Sequence, residues 1–464
     1  MMEHMPALLI VAPLIGAALC VFLKKPVLAR GLAIIVSFFC LVCAWHILEQ
    51  AMTNPEGEII YLLGGWPRPL GIEYRIDAAN GFVAFIVALI GAVVMPFGAG
   101  SKGMSGPSGR EHLFYAAFLL CLCGLLGITI TGDAFNVFVF LEITSLSSYT
   151  LIALGQSRRA LMAAFSYLVM GTIGGTFILV GIGFVFALTG SLNMADIASR
   201  LPAVVNSGTG VVALGFLVVG SGIKLAVFPL YQWLPNAYSF APSKISAFLS
   251  ATATKVSYYV LLRIIFTIFG AAFVFDRLGL DTVLLPLSVV AMFVGSIAAI
   301  YQSNMKRLLA YSSVAQIGYM TLGLSFVNVS GLTGGIVHLF NHALMKCGLF
   351  LVVGCIVYRI GSSQISSMKG LMRQMPVTMS AFVVGGLSII GIPGTVGFVS
   401  KWYLVMGALE KGYYVVAGLI LLSSLLAVMY IWKIIEVAVF EKAERPEPVQ
   451  EAPLNMLVPM WILM

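Results

Sequence analysis

A few ionisable side chains lie in stretches that are otherwise apolar. Among the 18 carboxylates of this 464-residue chain, Glu142 is the one placed well inside such a stretch, FVFLEITSLSSY. Its basic counterparts are Lys224 (GSGIKLAVFP), Lys255 (SATATKVSYY), Lys346 (NHALMKCG) and Lys401 (GFVSKWYL). Two of the five histidines, His338 and His342, are similarly enclosed. A charge at the centre of a bilayer costs about 2.5–3.5 kcal/mol on insertion scales, so these groups point to a task. His338, His342 and Lys346 recur at i, i+4 and i+8, which stacks them along one helix face. Lys224 directly precedes Leu225, whose carbonyl loses its helical partner to Pro229. An adjacent Glu–Lys pair keeps both members charged, and changing their separation changes which groups hold protons. Lysines and histidines in file allow stepwise proton transfer, because each site's affinity depends on its neighbours' charge. Thr144, Ser145, Thr252 and Thr254 flank the file. No cluster suited to a large solute is evident, so the indicated cargo is a proton or small cation. Arg263 and Lys433 lie nearer the ends of their apolar stretches, where snorkelling explains them, and it remains an alternative for Lys401.

Other chemistries find no support. There is no phosphate-binding loop, no dinucleotide fingerprint and no H-E-x-x-H. The paired histidines lack a carboxylate or cysteine pair to complete a metal site. All seven cysteines lie in apolar stretches, and Cys40 and Cys43 have no second pair. No cofactor and no metal are expected. The net charge of +8 contains no run of like charges, which argues against a nucleic-acid partner.

The elements that must position this file follow from composition. With 60% hydrophobic and 9% charged residues, the chain departs from soluble domains, which run at about 25% charged. It reads as an all-α polytopic membrane protein in the cell inner (plasma) membrane. At roughly 20 apolar residues per span, spans fall near 5–23, 29–47, 78–98, 113–131, 134–156, 160–188 and 209–238. Six more follow near 243–270, 282–301, 306–326, 331–358, 375–405 and 411–438, with a shorter apolar stretch from Leu454 that looks like a truncated fourteenth. Span 7 is interrupted by Pro229 and Pro235, and span 12 by Pro393 among Gly391, Gly394 and Gly397. In hydrocarbon such breaks are tolerated where they line a polar cavity or are buried in protein. Spans 4–8 and 9–13 then form two five-helix units, inverted relative to each other, with the break in the fourth helix of each. The expected segments are 1–112 (three helices), 113–270 and 271–440 (the repeats) and 441–464 (an acidic loop and partial helix).

Loop charge sets the orientation. Loops after odd-numbered spans carry thirteen basic residues: Lys24, Lys25, Arg30, Lys102, Arg110, Arg158, Arg159, Lys244, Lys306, Arg307, Arg359, Lys369 and Arg373. Those after even-numbered spans carry five: Arg68, Arg75, Arg200, Arg277 and Lys411. The positive-inside rule places the N-terminus outside.

Several segments, in register, resemble the proton-translocating antiporter family shared by respiratory complex I, membrane-bound hydrogenases and Mrp-type sodium/proton antiporters. They are LEITSLSSY, GIKLAVFPLYQWLPNAY, TKVSYYVLLR, KRLLAYSSVAQIGY, HLFNHALMKCGLF and GIPGTVGFVSKW. The resemblance implies fourteen core helices with helices seven and twelve broken. It also implies that Glu142 and Lys224 form the family's characteristic pair and that Lys255 is the connecting residue. His338 and His342 match the helix-eleven histidines, Lys346 a lysine on the same helix, and Lys401 the residue near the exit in helix twelve. Gln232 and Tyr238 stand where complex I members often show His, and Asn304 where many relatives carry an acid. FPLYQWLPNAY looks more like the Mrp D-type subunit, and no long lateral helix follows span 13.

The expectation is a membrane subunit of a multi-subunit monovalent cation/proton antiporter, with other membrane subunits, protons and sodium-like cations as partners. The alternatives are a redox-driven proton-pumping subunit of an NADH:quinone oxidoreductase or hydrogenase, and a scaffold whose axis no longer conducts.

Overall fold

The computed structural model describes residues 2–55, 57–99, 109–155, 157–443 and 448–464. Among these, ten helices are long and apolar enough to cross a membrane. The chain divides into two compact units, Met1–Leu225 with Thr252–Leu278, and Ala226–Ala251 with Gly279–Met464.

The first unit contains α1 (Met5–Phe22), α2 (Pro26–Thr53), α3 (Ala78–Val94), α4 (Glu111–Ile130), α5 (Ala134–Ala153), α6 (Arg158–Thr189), α7 (Met194–Arg200) and α8 (Gly208–Leu225). Between α2 and α3 an antiparallel hairpin, β1 (Glu58–Leu62) with β2 (Glu73–Asp77), departs from the helical pattern. Its second strand runs straight into α3. Asp77 accepts from the Ala79 and Asn80 amides while the Asn80 side chain accepts from Asp77 N, a capping box that starts the helix sharply. Asp133 and Asn193 are simple N-caps of α5 and α7, each side chain accepting from first-turn amides. Small residues let α6 and α8 approach closely. A Cβ on Gly220 would overlap the Gly174 carbonyl, and one on Gly181 would strike Leu217.

The second unit contains α9 (Trp233–Phe240), the start of α10 (Ser243–Leu262), α11 (Leu280–Ile300), α12 (Met305–Ser325), α13 (Val329–Ile360), α14 (Leu371–Gln374), α15 (Pro376–Ile390), α16 (Val396–Glu410), α17 (Tyr414–Phe440) and α18 (Leu454–Ile462). Helices α11 and α12 pack through Gly295 and Gly318, and α13 and α16 through Gly331 and Gly407. From residue 252, α10 belongs to the first unit and continues into a π-helical stretch, Arg263–Phe269.

Both interrupted spans are discontinuous, with a non-helical segment between α8 and α9 and another between α15 and α16. The first opens with Ala226 at φ 63°, a left-handed conformation that a side chain adopts at a cost. Pro229 lies within it. Pro235 corrects the expectation: it occupies the first turn of α9, where a missing N–H has no helical acceptor to lose, and is not itself a break. At the second break Gly391 adopts φ 84° and ends α15, with Pro393 following.

One further expectation needs correction. Lys244 and Lys306, assigned to solvent-facing loops, are both buried, because their segments fold into the first turns of α10 and α12. Eleven basic residues then remain on that side against five. Residues 226–251, placed with the first repeat from sequence, pack in the second unit. Lys102 and residues 444–447 of the acidic loop lie outside the described residues.

Candidate functional site

In the first unit, α5 and α8 bring Glu142 and Lys224 together at 3.6 Å, Oε1 to Nζ. That is an ion pair too long for a direct hydrogen bond. Lys224 Nζ instead donates to Ser145 Oγ at 2.6 Å, and the Ser145 hydroxyl in turn donates to the Leu141 carbonyl at 2.7 Å. Lys224 is buried, whereas the Glu142 side chain retains 28% exposure. Room for the carboxylate comes from α6, where a Cβ on Gly175 would overlap Glu142 Oε1 and one on Gly171 would overlap the Tyr149 hydroxyl. Lys255 on α10 is fully buried, with Thr254 Oγ1 at 3.3 Å.

In the second unit α13 stacks His338 on His342, rings 6.0 Å apart and 15° from parallel. His338 Nε2 lies 2.9 Å from Gln316 Oε1, and Nδ1 lies 2.8 Å from Ser400 Oγ. Lys346, one turn beyond His342, donates to the Leu309 carbonyl at 2.8 Å and to Ser312 Oγ. Lys401 Nζ donates to the Ile389 and Ile390 carbonyls at 2.9 and 2.8 Å and to Ser424 Oγ at 3.0 Å, 4.9 Å above the Tyr319 ring. Its position follows from the break. Gly391 N and Ile392 N turn back to Ser388 O and Leu387 O, leaving the last two carbonyls of α15 for a side chain. A cation there also meets the negative end of the helix dipole. Snorkelling is not the explanation for Lys401.

The same device recurs. Lys306 Nζ donates to the Ala241 carbonyl just past α9 at 2.9 Å, and Lys433 Nζ to Ile300 and Gln302 at the end of α11 at 2.9 and 3.0 Å. For Lys433, and for Arg263, snorkelling gives way to a specific partner. Arg263 pairs with Asp77 and donates to the Tyr259 hydroxyl at 2.9 Å. The sequence reading missed Gln316, Ser400 and Ser424 as partners, although a glutamine within AYSSVAQIGY was a visible signal. Outside the spans, burial pushes the Asp133 carboxyl up, opposed by the α5 amides it caps. Among the described residues no group of three or more His, Cys, Asp or Glu is arranged to hold a metal ion.

The arrangement supplies ionisable groups, most of them buried and hydrogen-bonded, in two clusters, each beside an interrupted helix. Residues 131–427 match the family described as NADH:quinone oxidoreductase/Mrp antiporter, transmembrane. The chain belongs to that family. The family is shared by relatives of two kinds. The N-type subunit of the NADH-quinone oxidoreductase of Desulforudis audaxviator strain MP104C is 43% identical, covering 100% of this chain and 94% of that one. The D-type subunit of the Na(+)/H(+) antiporter of Bacillus subtilis strain 168 is 30% identical, covering 100% and 92%. Among solved structures, a chain of the membrane-bound sulfane sulfur reductase, an archaeal respiratory membrane complex, aligns with TM-score 0.89 at 29% identity. That alignment covers 99% of this chain and 93% of the other. A chain of the Mrp complex from Dietzia sp. DQ12-45-1b has the same fold, with TM-score 0.89 at 23% identity over 100% and 92%. The protein is thus an antiporter-like, multi-pass membrane subunit of Mrp or complex I type.

Proposed function

We propose that this subunit moves protons along Glu142, Lys224, Lys255, His338, His342, Lys346 and Lys401 within a multi-subunit monovalent cation (sodium)/proton antiporter of the plasma membrane. The N-terminus faces outside. The observation that carries the reading is the Glu142–Lys224 pair, held at 3.6 Å with Ser145 beside it. A pair at that separation has no direct hydrogen bond to break, so small helix shifts change how strongly each charge holds its proton. The seven ionisable groups are more than helix glue requires, and each carries a polar or ring neighbour through which a proton or its charge is stabilised.

A second reading, a redox-driven proton pump of the NADH:quinone oxidoreductase type, is favoured by the 43% identity to a subunit of that name. The two readings separate on which subunits purify with the chain and what drives proton movement. In vesicles containing the intact complex, a sodium gradient drives proton exchange under the first reading, and quinone reduction does so under the second. Under either, Glu142→Gln or Lys224→Ala abolishes proton movement while the complex still assembles. Normal proton movement in both variants would sink the axis.

A further inference from the structure

The first unit holds a polar cavity of about 270 Å³ next to the hairpin, lined by Arg75, Asp77, Asn80, Thr131, Tyr259 and Arg263 among others. It has room and polar partners for several waters. A small apolar cavity of about 30 Å³ adjoins it and shares Met194, Tyr259 and Arg263. Along α10 and the first residue of its π-helical continuation, Lys255, Tyr259 and Arg263 stand at i, i+4 and i+8, so one helix face leads from the buried lysine to the cavity. The join is explicit. Arg263 Nε donates to Tyr259 Oη at 2.9 Å, another guanidinium nitrogen pairs with Asp77, and a third reaches Thr267 Oγ1 at 3.3 Å. Both arginines facing the cavity are neutralised, Arg263 by Asp77 and Arg75 by Glu58 at 2.7 Å. The chamber therefore presents no uncompensated positive charge that would repel a hydrated proton.

We infer that this cavity is a water-filled antechamber through which the first unit exchanges protons with the face carrying the hairpin, and that Tyr259 relays them to and from Lys255. In the relay the Tyr259 oxygen takes a proton from a cavity water as the hydroxyl's own proton passes inward, so the phenol is unchanged at the end. Arg263 never gives up its proton. With Asp77 it holds the hydroxyl in place, tying α10 to the start of α3. The inference rests on the proton axis proposed above and adds a terminus to it.

The test uses the intact complex in vesicles, with three measurements. Thr267→Cys places a thiol on the cavity wall of a chain whose seven native cysteines are all buried. It reacts with a membrane-impermeant methanethiosulfonate from the hairpin face and not from the other. Tyr259→Phe, which removes one oxygen and leaves assembly intact, slows proton movement at least tenfold. Tyr259→His, which keeps a transferable proton, restores most of it. A Thr267→Cys thiol inert from the hairpin face overturns the antechamber. So does unchanged flux in Tyr259→Phe beside an inactive Glu142→Gln, and that result leaves the axis standing. A Tyr259→His variant as slow as Tyr259→Phe reduces Tyr259 to a packing residue and removes the relay. Unchanged flux in both Tyr259→Phe and Glu142→Gln removes the axis and its terminus together.

Discussion

Glu142 owes its position as much to what is missing from α6 as to what is present on α8. Gly175 leaves the space its carboxylate fills, and Gly171 leaves the space for the Tyr149 hydroxyl, whose ring packs edge-on against Tyr167 at 4.8 Å. Gly175→Ala places a methyl group where Oε1 now sits. The carboxylate is then displaced from Lys224, and we expect proton movement to fall at least tenfold. The carboxylate is the far end of a flexible, partly exposed side chain, so its displacement costs the fold little. Reconstituted flux, measured beside the yield of assembled complex, distinguishes loss of the pair from loss of the fold; full activity at normal yield contradicts this account. At this scale the sequence was partly legible. Lone charges in apolar stretches are conspicuous, which is why Glu142, Lys224 and the α13 residues could be singled out. Of their partners Ser145 was named as flanking the file, but Ser312, Ser400 and the Leu309 carbonyl were not, because a serine or a backbone carbonyl on a distant helix leaves no mark near the side chain it serves.

At the scale of elements, the helices could be read because hydrocarbon permits few alternatives to long apolar segments. The breaks could be read because proline and glycine carry their own backbone rules. The hairpin could not. Residues 58–62 and 73–77 form only two short strands, and their pairing depends on the intervening turn more than on hydropathy. Lys306 was misplaced for a related reason: a basic pair before an apolar stretch looks like a loop, whereas here it forms a buried first turn. The segment after α17 also acts on another element. Glu451 accepts from Val377 N at 2.8 Å and from Thr378 Oγ1 at 2.5 Å, supplying the cap that α15 lacks locally. Glu451→Ala should lower unfolding stability by about 0.5–2 kcal/mol, the usual worth of an N-cap. Proton movement at ambient temperature should remain. Denaturation midpoints in detergent read the first effect, and an unchanged midpoint would show that the cap contributes nothing.

For the whole molecule, the charge asymmetry survives the loss of two of its lysines. In the orientation proposed above, eleven basic residues against five put Arg158 and Arg159 on the cytoplasmic side and Lys411 on the other. Single thiols test this directly. Ser157→Cys, at an exposed position, should be labelled by an impermeant reagent from the cytoplasmic face alone. Tyr414→Cys, where the side chain is 73% exposed, should be labelled from the outside alone. Labelling of both from one face would break the alternation on which the span order rests. Low overall charge made this test possible, since few loop residues compete to set the orientation.

The ammonium of Lys401 has three hydrogens, and three oxygens receive them: two carbonyls at the end of α15 and the Ser424 hydroxyl. A neutral amine has two hydrogens and one lone pair. Ser424, which now donates to Ile420 O at 3.1 Å, needs only to rotate its hydroxyl to meet that lone pair. Both carbonyls then keep their donors. Deprotonation at the second break therefore calls for one hydroxyl rotation and no rearrangement of the helix. The proton can leave while the helix end stays covered.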